Sequence, residues 1–190
     1  MRLVIIIKPI KMDEKNRVDY YKKIGAYVIS IILIIGIALA LRTYVFARVT
    51  VNGPSMQETL YNNDSLFVEK ISTEMHNVKR GEIVVFDPKV PNEGYFIKRV
   101  IGIEGDVIEI KGGHVYLNNN LLKENYLSKG VVTEPIATTT KYVVPKNHVF
   151  VLGDNRTNST DSRMLGSIDI KNLKGHVIVR IYPFNRMKLF

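Results

Sequence analysis

Residues 24 to 41, IGAYVISIILIIGIALAL, run for eighteen positions without a charge. No other stretch limits what this chain can fold into as strongly, because a run of that length makes about 27 Å of helix, the span of a hydrocarbon core. The 23 residues before it hold Arg2, Lys8, Lys11, Lys15, Arg17, Lys22 and Lys23 against three acids, and the last two lysines abut the run. The positive-inside rule then keeps this arm in the cytoplasm and exports residues 42 to 190. The expected organisation is a cytoplasmic basic arm over 1–23, a single transmembrane helix over 24–41 and an extracytoplasmic domain over 42–190, held at the plasma membrane. A cleavable signal peptide is the competing reading, with Ala38-Leu39-Ala40 as its small-x-small processing site. Such peptides run to roughly 15–30 residues with an apolar stretch of roughly 7–15. The longer arm and run favour a retained anchor, and self-cleavage after Ala40 stays open. Residues 3 to 7, LVIII, are too short to span and are closed by Lys8-Pro9.

The formal charge of +9 raises nucleic acid as a partner. The arm accounts for +4 of it, and the rest is spread over 149 residues without the Lys/Arg cluster that a nucleic-acid groove uses, so no nucleic-acid partner is expected. The absence of cysteine rules out a disulfide framework, a thiolate metal site and a Cys nucleophile. His76, His114, His148 and His176 are scattered, with no HxxxH or HExxH spacing, so neither a metal nor another cofactor is expected.

The exported part reads as mainly β. ARVTV (47–51), SLFVEK (65–70), EIVVF (82–86), YFIKRVIGI (95–103), DVIEI (106–110), HVYL (114–117), HVFVL (148–152) and HVIVRIY (176–182) are rich in Val, Ile, Phe and Tyr, and Gly, Pro, Asn and Asp punctuate them. The spacing predicts a coiled antiparallel β-sheet domain. Turn signals at Gly112-Gly113 and Asn118-Asn119-Asn120, followed by a polar TEPIATTTK stretch, mark 106–142 as a small insertion beside the core.

Three segments could carry chemistry. Ser55 follows the strand VTV in NGPSMQETL (52–60), where Gly53-Pro54 force a turn that can present a hydroxyl and its backbone N–H at a surface. Gly-Pro-Ser is also ordinary turn chemistry, and a serine nucleophile needs a base. In YFIKRVIGIEGD (95–106), strand alternation puts Phe96, Lys98 and Val100 on one face and Tyr95, Ile97, Arg99 and Ile101 on the other. Lys98 therefore sits between apolar neighbours, and a desolvated ammonium gives up its proton more readily than one in water. The bland alternative is a lysine reaching solvent at a sheet rim. The third segment, VLGDNRTNSTDSRMLG (151–166), offers Asp154 with Arg156, then Ser159, then Asp161 with Arg163. It is either a solvated turn or a polar brace for a buried neighbour. The residues alone leave each pair of readings standing.

The order of anchor helix, GPSM with TL following, GEIVVF (81–86), YFIKRVIGIEGD and GDNRTNSTDSR (153–163) closely resembles the type I signal peptidases of bacteria, serine peptidase family S26. The resemblance runs from the anchor to the C-terminus, and the short insertion is closest to Gram-positive members. It implies a membrane-bound serine endopeptidase that removes signal peptides after small residues, with Ser55 as nucleophile and Lys98 as general base. It further implies that Ser159 hydrogen-bonds the lysine amine, that Asp161 and Arg163 form a structural ion pair behind it, and that Met56 lines the cleft. Substrate is then expected to lie extended between 49–51 and 95–97, with Val49, Val51, Met56, Leu60, Phe96 and Ile97 walling shallow pockets. The implied partners are exported preproteins, membrane lipid and a nearby export translocase. Only 14 residues separate Leu41 from Ser55, at most about 48 Å of extended chain, which keeps the site near the outer membrane face.

Two positions depart from the family pattern. Glu58 stands where SMxPTL members carry proline, and Gly53 stands where some members carry a serine oxyanion donor, leaving that task to backbone N–H groups, chiefly that of Ser55. Self-cleaving repressors share the Ser-Lys logic but need a helix-turn-helix where this chain has its apolar run. An inactive homologue acting as a membrane-anchored binding or pilus-assembly module is the non-enzymatic alternative.

Overall fold

The computed structural model describes residues 13–75, 77–136 and 138–190. The expectations for LVIII at 3–7, for His76 and for the first half of the basic arm lie outside the described residues. The chain divides into a helical unit ending at Arg42 and a β unit, Thr43–Phe190.

In the first unit, α1 runs over Glu14–Ala40 and passes into a π-helical turn, Leu41–Val45. It begins ten residues before the apolar run. EKNRVDYYKK contains no Gly or Pro to stop a helix, and Glu14 in the first turn complements the helix dipole. The segment Arg17–Leu39 is long and apolar enough to cross a membrane. Its large side chains, among them Ile31, Leu33, Ile34 and Ile37, are all exposed.

In the second unit, β1 (Phe46–Thr50), β2 (Ser65–Glu69), β3 (Ile83–Phe86), β4 (Phe96–Gly102), β5 (Val107–Lys111), β6 (His114–Leu117), β7 (Asn120–Leu121), β8 (Lys141–Val143), β9 (His148–Leu152), β10 (Ile168–Asp169), β11 (Leu173–Tyr182) and β12 (Lys188–Leu189) follow in chain order. The main sheet has the order β1-β2-β11-β3-β4-β9-β10, with β12 against β11, and a second sheet has the order β7-β6-β5-β8. Every pairing is antiparallel. The second sheet covers the segment expected as an insertion. All eight predicted strands form. The strands β7, β8, β10 and β12 were not predicted, because two or three residues are too few to display a period of two.

The longest strand, β11, pairs with both β2 and β3, and register shifts along it bend the sheet into a coil. Gly175 sits at one shift with φ +148, where a Cβ would lie 2.4 Å from the Glu69 carbonyl oxygen, so only glycine fits. The centre of the main sheet is buried on both faces. In β3, Ile83 and Val85 pack with Val51, Met56, Leu60, Leu66 and Ile97. Val84 and Phe86 turn the other way and pack with Val100, Val149 and Val151. Two-sided burial is why IVVF reads as an unbroken apolar run. A third cluster, with Ile101, Phe150 and Leu152 against Ile108, Ile110 and Val115, fastens the second sheet to the first.

Candidate active site

Ser55 lies in the connection between β1 and β2. Val51 and Asp64 continue the strand pairing past Thr50, the amide of Val51 donating to the Asp64 carbonyl at 2.9 Å, and this closes the loop at its base. Gly53 then takes φ +98, its amide donating to Asn62 Oδ1 at 3.1 Å. Beyond it Met56 and Leu60 drop into the core, both at most 1% exposed, and the Leu60 amide donates to the Met56 carbonyl at 2.7 Å. With Met56 and Leu60 anchored below, Ser55 is left half-buried at the rim.

Lys98 comes from β4, opposite Val84 of β3, and is 3% exposed. Its Nζ lies 2.8 Å from Ser55 Oγ, 3.1 Å from the Ile97 carbonyl oxygen and 5.0 Å from the centre of the Phe96 ring. Burial pulls its pKa down from 10.5 to about 8, against the weaker opposing pull of the Asp161 and Asp154 carboxylates. A large share of this amine is therefore neutral in mildly alkaline solution, within hydrogen-bond reach of a serine hydroxyl.

The segment 153–163 braces the pair from behind. The Gly153 amide donates to Asp161 Oδ2 at 3.0 Å, and Asp161 caps the short helix α2 (Ser162–Leu165) while receiving Arg163 Nε at 2.9 Å and Nη2 at 2.8 Å. Both partners of this ion pair are buried. The Asn155 amide donates to the Ser55 carbonyl at 3.0 Å, and Asn155 Nδ2 donates to the Pro54 carbonyl at 3.2 Å. A Cβ at Gly153 would fall 2.5 Å from that same Ser55 oxygen and 2.2 Å from Ser159 Oγ, so the close approach of the two loops requires glycine.

Several residues stand differently from expectation. Ser159 is at the site, but its Oγ is buried without a hydrogen-bond partner among the described residues, and Lys98 bonds to Ser55 and Ile97 instead. Asp154 does not pair with Arg156. It follows the end of β9, where Leu152 stands opposite Arg99, so its carboxylate meets Arg99 at 2.7 and 3.0 Å. Arg156 turns toward the segment between β7 and β8 and forms a forked pair with Glu124, with Thr133 Oγ1 at 2.6 Å. Tyr126, its hydroxyl proton held strongly by burial, donates to Glu124 at 2.7 Å and lies under the Arg99 guanidinium, 4.0 Å from ring centre to Cζ. Glu58, at the position of the family's proline, has a conformation and a partner of its own. It takes φ 84, which proline cannot adopt, and its carboxylate accepts from Ser128 Oγ.

A cleft of about 220 Å³ opens beside Ser55 and Lys98. Val49, Val51, Met56, Phe96 and Ile97 line it, joined by Tyr95, Asn158 and Thr160. Leu60 does not line it, being wholly enclosed in the core beneath. The last β9 partner on β4 is opposite Arg99, so that edge of Phe96–Lys98 carries no strand among the described residues, and β1 ends the sheet order on the other side. No histidine lines the cleft, and no cluster of metal-binding side chains occurs among the described residues.

Residues 24–182 match the family model for signal peptidase, peptidase S26. The chain is 35% identical over 190 residues to a probable signal peptidase I-2 of Synechocystis sp., covering 97% of this chain and 84% of that one. It is 39% identical over 158 residues to signal peptidase I of Leptolyngbya laminosa, with 80% and 76% covered. To signal peptidase I of Bacillus licheniformis it is 35% identical over 185 residues, with 93% and 98% covered.

Proposed function

This chain belongs to the signal peptidase family, peptidase S26, and cleaves signal peptides from preproteins; we propose that it does so as a membrane-anchored serine endopeptidase working through Ser55 and Lys98. The observation that carries this reading is the 2.8 Å contact between Ser55 Oγ and the Nζ of a lysine that burial holds near a pKa of about 8. Neutral Lys98 takes the Ser55 proton as Oγ attacks the scissile carbonyl. The ammonium so formed delivers that proton to the leaving amine, and the acyl-enzyme is released when Lys98 deprotonates an attacking water. The tetrahedral oxyanion forms beside the Ser55 backbone N–H, because Gly53 offers no hydroxyl there.

The Asp161–Arg163 pair fixes the loop that faces the lysine, and Ser159, with an uncommitted buried hydroxyl beside the dyad, steadies the amine during turnover. Substrate adds as an extended strand between 49–51 and 95–97, supported by the open edge of Phe96–Lys98 and by the small volume of the cleft, which suits small side chains before the scissile bond. The apolar helix Arg17–Leu39 serves as a single retained span, with the basic arm cytoplasmic and the β unit outside. Lipid surrounds that span, and the export translocase delivers substrates nearby.

Cleavage of a signal-peptide substrate by wild type, Ser55→Ala and Lys98→Ala in detergent tests the reading. Both variants are expected to be inactive while keeping the wild-type melting temperature within a few degrees. Cleavage by either at a near wild-type rate overturns the dyad.

A further inference from the structure

The Ser55 amide donates to no group among the described residues, so the direction it points is set by whatever holds its own peptide unit. A peptide unit is planar, and this one is trans, so its N–H points away from the Pro54 carbonyl. That carbonyl is held twice. The Gln57 amide reaches it at 2.9 Å from within the same turn, and Asn155 Nδ2 reaches it at 3.2 Å from outside. Asn155 grips the next peptide unit as well, its amide donating to the Ser55 carbonyl at 3.0 Å. The two planes that flank a Cα set its φ and ψ, so holding both also settles where the Ser55 side chain leaves the backbone.

Asn155 is itself fixed. Thr157 Oγ1 donates to its Oδ1 at 3.2 Å, which keeps Nδ2 turned toward Pro54, and its carbonyl accepts the Asn158 amide at 3.1 Å. It follows closely on Leu152 of β9, which stands opposite Arg99, the neighbour of Lys98 on β4. Gln57 moves with the turn, whereas Asn155 ties the turn to the strands that carry the base. We propose that Asn155 is a positioning residue for the oxyanion: without touching substrate, it aims the Ser55 N–H at the place where negative charge develops. An asparagine suits the task because its side chain carries a donor for one carbonyl while its backbone N–H serves the other. The proposal rests on the Ser55–Lys98 reading above.

The test sets two ligands of one sequence against each other on the full chain in detergent. One is a signal-peptide fragment ending in a boronic acid, whose boron takes the Ser55 Oγ electron pair while Lys98 takes the proton, giving a tetrahedral anion. The other ends in a primary amide and forms no such adduct. In Asn155→Ala, kcat for a preprotein should fall about tenfold with KM within about twofold, because the donor is misaimed, whereas outright removal of one costs about 10²–10³. Boronate affinity should fall by the same factor of about ten while amide affinity stays within about twofold. The pH midpoint of kcat/KM should stay where wild type has it. Thr157→Val, an exposed change that only frees the amide to rotate, should show the same pattern at about threefold; if Asn155→Ala melts at the assay temperature, this variant carries the test by itself. Equal losses for boronate and amide overturn the proposal, since Asn155 would then shape the cleft. A moved pH midpoint overturns it in favour of an effect on Lys98, and wild-type kcat in both variants overturns it outright. Ser55→Ala should bind the two fragments alike. If wild type also does so, the dyad reading fails and takes this proposal with it, an outcome distinct from wild type preferring the boronate and Asn155→Ala keeping that preference in full.

Discussion

Lys98 and Arg99 are consecutive cations on β4, both under 10% exposed, and they face opposite ways into different chemistry. Arg99 meets a carboxylate with matched geometry, adds the Gly81 carbonyl at 2.8 Å and lies over an aromatic ring. Lys98 meets a hydroxyl, a carbonyl and a ring, with its nearest carboxylates acting only at a distance. The first arrangement keeps a charge in the interior by satisfying it. The second buries an amine without a counter-ion, so that it sheds its proton instead. One residue step along a strand thus separates a structural cation from a reactive one, and the difference lies in the partners and not in the depth.

The largest effect should come from giving Lys98 the chemistry of its neighbour. Lys98→Arg keeps a positive charge and much of the stem, but a guanidinium stays protonated at any usable pH. Cleavage of a preprotein should fall by about 10²–10⁴-fold, the range that general-base catalysis supplies. A rate near wild type would mean that no base is needed at this position. Next in size is the loss of the counter-ion on the other face. Asp154→Ala leaves Arg99 buried and unpaired, and Asp161→Ala does the same to Arg163; each should lower stability by about 3–5 kcal/mol in a denaturant titration. Unchanged midpoints would show these pairs to be dispensable.

A smaller and opposite effect is expected when the uncompensated amine is removed. With its pKa lowered to about 8, Lys98 binds its proton less tightly in the folded state than in the unfolded one. The resulting penalty is full below about pH 8 and fades as pH rises toward the unfolded value near 10.5. Lys98→Met should therefore be more stable than wild type at pH 7, by at most about 3 kcal/mol, and the gain should shrink at pH 10. A destabilised Lys98→Met would contradict the idea that the lysine sits there at a cost. In the wild type, kcat/KM should climb with pH through about 8 as the amine is freed. A profile flat from pH 6 to 9 would remove Lys98 as the titrating base. Smallest of all should be Lys111→Ala, which breaks the exposed contact with Glu109 and should change stability by about 0–1 kcal/mol.

The alternation of YFIKRVIGI was enough to place Lys98 and Arg99 on opposite faces, because a strand's period is a local property. The turn bearing Ser55 was legible for the same reason, its Gly-Pro pair acting over four residues. What Arg99 and Arg156 hold was not legible. Asp154 reaches Arg99 through the register of β9 on β4, and Glu124 reaches Arg156 from the loop after β7, and neither separation leaves a trace in local pattern. Pairing Asp154 with Arg156 by proximity in sequence was the natural error, since residues two apart in a loop need not face each other. Leu60 was placed on the cleft because it is apolar and close to Ser55, whereas a tight turn sends it straight down into the core. Glu58 shows the reverse case, a lost proline that permits a backbone angle no proline could take.

The position of β11 has a consequence for timing. The strands β1 and β2 carry Ser55 between them, and β3 and β4 bring Lys98, yet within the sheet the two pairs are joined by a strand made of residues 173 to 182. A ribosome finishes the nucleophile's hairpin and the base's hairpin long before it makes the piece that sews them together. Until then the hydroxyl and the amine sit on two hairpins that no strand joins in one sheet. Any truncation that stops short of Leu173 leaves two half-sites without the strand that joins them.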